Sequence, residues 1–250
     1  MSIILNEYSW AEDMIASAQL GDKPIKTLSI VAEYYYENGF SKRDIRKMMT
    51  EFYVACTSSP LPFYIADALD SIIKRLGRRP LVQIDGVNVS STELDTILKL
   101  QGRQLQRLAF TLLCLAKYHY ERNPVTDHWV TTSDKDILKM ANIKTSVKRQ
   151  SKLFGDLQRS GLIKFSQKID SLNVQVLFCD DYDCKIEIDD FRNLGYQYLK
   201  YVGEPYFECE NCGIVEKITS PQKGRKQKYC KACAQTIKSK QSSLSVISHR

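Results

Sequence analysis

Four cysteines fall in two C-x2-C pairs: Cys209 and Cys212, then, after 17 intervening residues, Cys230 and Cys233. Two residues between cysteines let a tight turn aim both sulfurs at one metal, and two such turns complete a tetrahedron of thiolates. This ligand set points to Zn2+. With no coordination position left for water, the metal is expected to fold the segment and to take no part in catalysis. A redox-active dithiol is the competing chemistry for a C-x2-C pair. Between the pairs runs SPQKGRKQK, a loop that would hold Lys223, Arg225, Lys226 and Lys228 beside the metal.

Other reactive constellations are missing from the sequence. There is no glycine-rich phosphate loop and no H-E-x-x-H. The three histidines, His119, His128 and His249, are scattered with no nucleophile or open-metal partner at a recognisable spacing. The expectation is a non-enzymatic protein. Of the remaining cysteines, Cys56 and Cys114 sit in apolar helical contexts and read as reduced, buried thiols, and Cys179 and Cys184 read as structural. The N-terminus MSIILNEYSW has no basic leader. The longest apolar run, residues 108–116, falls short of the ~18–20 residues a membrane span needs. A soluble, cytoplasmic protein with no membrane partner is expected.

The net charge of +7 is unevenly distributed. Nine of the 36 basic residues follow Glu216, and none of the 29 acidic ones do, so residues 1–216 carry 27 basic against 29 acidic. A positive cysteine segment behind a nearly neutral body is an electrostatic footprint for a polyanion, although a solubilising tail has the same composition.

The elements that must position these residues read as mainly α with small β elements. Residues 1–79 form an N-terminal helical region. Pro24 suits a helix start and Asn38-Gly39 a stop; Ser41 with Asp44 caps the next helix, whose apolar stripe is Ile45, Met48, Met49, Phe52 and Cys56. The turn near Phe40 suits a helical hairpin or, less economically, a helix-turn-helix presenting Lys42, Arg43, Arg46 and Lys47. Residues 80–102 read as a connector, with a β-hairpin turning at Asp85-Gly86 and a short helix capped by Ser90 and Glu93. Residues 103–202 begin with a helix that is apolar nearly all round from Leu108 to Ala116, hence the buried centre of a domain. A short strand at 128–131, a helix capped by Ser133, a turn, a helix over 145–160 and a hairpin over 162–179 follow; this is the order of a winged helix-turn-helix. An acidic run, Asp180, Asp181 and Asp183, reads as loop and cap, and a helix is expected over 191–201. Residues 203–240 form the cysteine module and 241–250 a flexible tail.

At about 100° per residue, the helix over 145–160 puts Val147, Leu153, Phe154 and Leu157 on one half of the wheel. Thr145, Lys148, Lys152 and Arg159 lie within about 60° of one another on the other half, with Arg149 beside them. An apolar back with a cationic front is what a recognition helix needs, and equally what an amphipathic helix with a solvated lysine face has. Gly155 borders the basic face, where a small residue would permit close approach of a phosphate. Lys164 and Lys168 extend the positive surface onto the hairpin.

Arg103 to Cys179, including LQRSGLIKFS, resembles winged-helix DNA-binding domains of bacterial regulators and mobile-element replication proteins. Cys209 to Gln235, especially KYCKACA, is similar to small four-cysteine treble-clef zinc fingers. RLAFTLLCLAKY and DFRNLGYQYLKY resemble largely uncharacterised proteins of phages and mobile elements in Gram-positive bacteria. The resemblance implies a duplex DNA partner, a bacterial host cytoplasm, and a role in transcription or replication; if the chain pairs as a homodimer, its site would be a palindrome. The alternative is an adaptor or inhibitor that holds a host protein such as a polymerase or nuclease, through an exposed aromatic patch around Tyr34, Tyr35 and Tyr36.

Overall fold

Short helices with one apolar stripe each build the first of two compact units, Ile4–Asp85. The computed structural model describes residues 3–167, 173–219 and 226–247, with side chains to residue 239. Helices α1 (Glu7–Ser17), α2 (Pro24–Glu37), α3 (Lys42–Thr57) and α4 (Phe63–Arg75) enclose Leu28, Val31, Ile45, Met49 and Leu69, all fully buried. Their starts follow sequence chemistry. Pro24 opens α2, and Ser41 caps α3 by accepting the Asp44 amide. Tyr8, Tyr34, Tyr35 and Phe40 pack edge to face in succession, so Tyr34 and Tyr35 spend their rings on this core.

The second unit, Gly86–Arg250, contains β1 (Val87–Val89), α5 (Ser91–Leu98), α6 (Arg103–Arg122), β2 (Trp129–Val130), α7 (Asp134–Met140), α8 (Val147–Arg159), β3 (Ile163–Phe165) and β4 (Val174–Val176). Then come β5 (Ile186–Ile188), α9 (Leu194–Tyr201), β6 (Tyr206–Glu208), β7 (Val215–Lys217) and α10 (Lys231–Ile247). The chain is mainly α with small antiparallel β elements, the class expected. The all-round apolar stretch of α6 is buried throughout, from Leu108 to Ala116, and the rest of the unit packs around it. Strands β2, β4 and β3 form one antiparallel sheet in that order, with Val130 and Phe165 both opposite Val174. Helix, strand, two helices and a hairpin thus follow in the order the sequence indicates.

Two expectations are overturned. No hairpin turns at Asp85-Gly86. Gln83 makes only an isolated bridge to Asn6, while Val87–Val89 pairs antiparallel with Ile186–Ile188, about a hundred residues away. That pairing buries Val87, Val89 and Ile188, which a solvent-exposed local hairpin would not. The helix expected over 191–201 starts at Leu194, not Phe191, because Asn193 is in the left-handed region (φ 54°). Its side chain accepts from Asn142 Nδ2 at 2.9 Å and donates to the Val215 carbonyl at 3.1 Å. Phe191 is buried ahead of the helix, against Tyr118, and Tyr198 is buried against Phe110.

A buried ion pair ties β1, α5 and α6 together. Lys117 Nζ lies 2.9 Å from Glu93 Oε1 and donates to the Asn88 carbonyl at 2.8 Å. The other Glu93 oxygen closes a capping box on the Ser90 amide. In the acidic run, Asp183 accepts from the Ser91 amide and hydroxyl, so it caps α5 as a loop carboxylate is expected to do.

Candidate metal centre and basic helix

The hairpin β6–β7 carries the first cysteine pair at its turn, and α10 begins directly after Cys230. The first turn of α10 therefore supplies Cys233. Gly213, in the left-handed region (φ 71°), donates to the Cys209 carbonyl, and Cys209 donates to the Ile214 carbonyl; this tight knuckle turns both sulfurs inward. The four Sγ atoms lie within 4.8 Å of one another, with Cys212 and Cys230 at 3.8 Å. Thiolates at about 2.3 Å from a tetrahedral ion would be spaced by about 3.8 Å, so the set fits a closed four-thiolate site. The cluster could hold a metal ion.

N–H donors reach three of these sulfurs. The Cys230 amide donates to Cys209 Sγ at 3.3 Å, the Cys233 amide to Cys230 Sγ at 3.4 Å, and Asn211 Nδ2 to Cys233 Sγ at 3.2 Å. Burial opposes the Cys209 thiolate, but amide donors from Cys230, Asn211 and Cys212 outweigh it and bring that thiol down to about 6. Burial, reinforced by the neighbouring sulfurs, pushes Cys212 up to about 12. One thiol thus ionises readily, and a cation is what allows the whole set to do so.

Contacts from α9 and its neighbours hold the knuckle in place. Arg192 Nη2 donates to the Cys212 carbonyl at 2.6 Å, Lys200 pairs with Glu208 at 2.6 Å, and the rings of Tyr196 and Tyr206 lie 4.9 Å apart. Arg103 pairs with Glu204 at 2.7 Å across the chain's entry into the hairpin. Arg192 and Asn193 were not singled out from sequence; both act through backbone carbonyls, which leave no spacing signature. Of the expected basic loop, Lys223 and Arg225 lie outside the described residues. Lys226 and Lys228 are exposed, and Lys228 is 3.2 Å from Glu210.

Helix α8 presents the second cluster. It begins at Val147, with Ser146 as its N-cap, so Thr145 is a half-buried residue ahead of the helix and not on its wheel. Leu153, Phe154 and Leu157 are buried. Val147, expected among them, is 78% exposed. At the first helical position its side chain leans back past the N-terminus, where nothing from the core reaches it. Lys148, Arg149, Lys152 and Arg159 are exposed, and Lys164 is exposed on β3; Lys168 lies outside the described residues. Arg159 is ion-paired to Asp156, which takes part of its charge from the face. A Cβ at Gly155 would meet only Arg159 Nη1, at 3.6 Å, so packing does not demand glycine there.

No family model matches the chain, and neither a curated protein nor a solved structure shows significant similarity to it. Among the described residues, no helix is long and apolar enough to cross a membrane.

Proposed function

We propose that this is a non-enzymatic DNA-binding protein, in which α6 to β4 act as a winged helix and the four cysteines hold a structural Zn2+. The observation that carries the reading is α8. Three buried apolar residues on its back are opposed by the exposed cations Lys148, Arg149 and Lys152, and the β3–β4 hairpin with Lys164 follows directly. Such a helix offers Lys and Arg to base edges and phosphates of a major groove, while the hairpin touches backbone. The zinc knuckle would fix a cationic loop for further phosphate contacts. A phage or mobile-element regulator or replication factor is the setting in which we place it, in a bacterial cytoplasm. Selection from a random duplex pool tests it: an enriched motif, a palindrome if the protein is a dimer, supports the reading, and recovery of no duplex above background defeats it.

The alternative, an adaptor that holds a host protein, loses its expected patch, since only Tyr36 of the three tyrosines is exposed. It gains another. Phe63 and Tyr64, at the start of α4, are 82% and 66% exposed. Pull-down with wild type and with Phe63→Ser/Tyr64→Ser separates the readings, since a DNA-binding role is indifferent to both side chains.

A further inference from the structure

The helical unit Ile4–Asp85 contains a cleft of about 290 Å3 whose charge is unbalanced. Lys26, Arg75, Arg78 and Arg79 line it, against two carboxylates, Glu7 and Glu33. Both carboxylates are buried and already engaged. Glu7 accepts from Arg79 Nη2 at 3.2 Å and from the Val82 amide at 3.1 Å, and Glu33 accepts from the Gly77 amide at 2.8 Å. Among the described residues, Arg75 donates only through Nε, to the Ser71 carbonyl at 3.0 Å. The Arg78 guanidinium makes no ion pair or side-chain hydrogen bond among the described residues, although it lines a cleft with three other cations.

Lys26 is half-buried in this cleft, while Arg75, Arg78 and Arg79 reach solvent. Burial pushes the Lys26 ammonium down, and Arg79 and Lys23 add to that against the pull of Glu7. A bound anion with several acceptor oxygens removes the imbalance, and guanidinium forks match the geometry of phosphate. The wall is not wholly polar: Ile30, Ile72 and Leu81 contribute apolar surface. A volume of about 290 Å3 lies at the lower end of ordinary ligand pockets, which suits a small ligand.

We propose that this cleft binds a small phosphorylated molecule, with Arg75 and Arg78 as its phosphate-binding residues and the apolar wall receiving its organic part. The proposal is independent of the DNA-binding reading, because no residue of α8 or of the cysteine cluster takes part. Calorimetric titration of the full chain with inorganic pyrophosphate and with ADP tests it. Saturable binding is expected for both, tighter for ADP, and Arg75→Gln/Arg78→Gln should weaken each at least ~tenfold. The exposed Arg78 side chain makes no hydrogen bond or ion pair among the described residues, so Arg78→Gln alone should keep the wild-type melting temperature while losing affinity. Lys217→Gln, an exposed lysine outside the unit, serves as the control and should change nothing. No saturable binding of either ligand, equal binding by the double variant, or displacement of pyrophosphate by duplex DNA would overturn the proposal.

Discussion

Lys117 is the side chain whose loss should cost the fold most. Its side chain is 8% exposed and its ammonium faces the fully buried side chain of Glu93. Truncating one partner leaves the other charge buried and unpaired, at a cost of about 3–5 kcal/mol. Chemical denaturation of Lys117→Met should show a loss of that order, with the largest loss of hydrogen-exchange protection around β1 and α5. His119 supplies a pH dependence. Burial, with Arg122 nearby, holds it below its ordinary value, and Nε2 lies 3.2 Å from the Thr132 hydroxyl. The unfolded chain takes up this proton near pH ~6.5 while the native protein resists it, so the contribution is present above that pH and lost as pH falls through the lower, native value. Melting temperatures between pH 7 and 5 should fall less steeply for His119→Gln than for wild type. These interactions were only partly legible. The capping box at Ser90 and Glu93 can be read from spacing, but nothing local shows that Glu93 also receives Lys117.

At the scale of elements, α9 meets the end of α7 so closely that a Cβ on Gly195 would collide with the Ala141 carbonyl. Overpacking against backbone costs about 1–3 kcal/mol or more, so Gly195→Ala should lower the melting temperature clearly while Gly155→Ala does not. Under the proposed zinc assignment, the knuckle's fold depends on the metal. Cys230→Ser should abolish stoichiometric zinc in native mass spectrometry and strip hydrogen-exchange protection from β6, β7 and the start of α10, leaving the helices of Ile4–Asp85 protected; unchanged zinc content would refute the ligand assignment. Helices with one apolar stripe or a good cap, such as α3, α5 and α8, were legible because their signals are local. The pairing of β1 with β5 was not, since its partners are about a hundred residues apart and Asp85-Gly86 imitates a local turn. The start of α9 was hidden for a similar reason, Asn193 being held in its left-handed conformation by distant partners.

For the whole molecule, the sequence after Glu216 supplies the entire positive excess of the net +7, residues 1–216 being slightly acidic, yet several cations of the second unit are already paired within it. Arg159, Arg192, Lys200 and Lys228 each have a carboxylate partner, whereas Lys148, Arg149, Lys152 and Lys164 form no ion pair among the described residues. Composition shows the excess; which cations remain for a polyanion is decided by tertiary pairing, which composition does not carry. The most direct test of the DNA-binding account is fluorescence anisotropy of a labelled duplex, titrated with the full chain across a salt series. The account expects binding that weakens with a log–log salt slope of about −3 to −4, near −0.9 per phosphate neutralised. It also expects Lys148→Glu/Lys152→Glu to weaken binding at least ~tenfold at unchanged melting temperature. No duplex binding at low salt, or binding untouched by that double substitution, would contradict it.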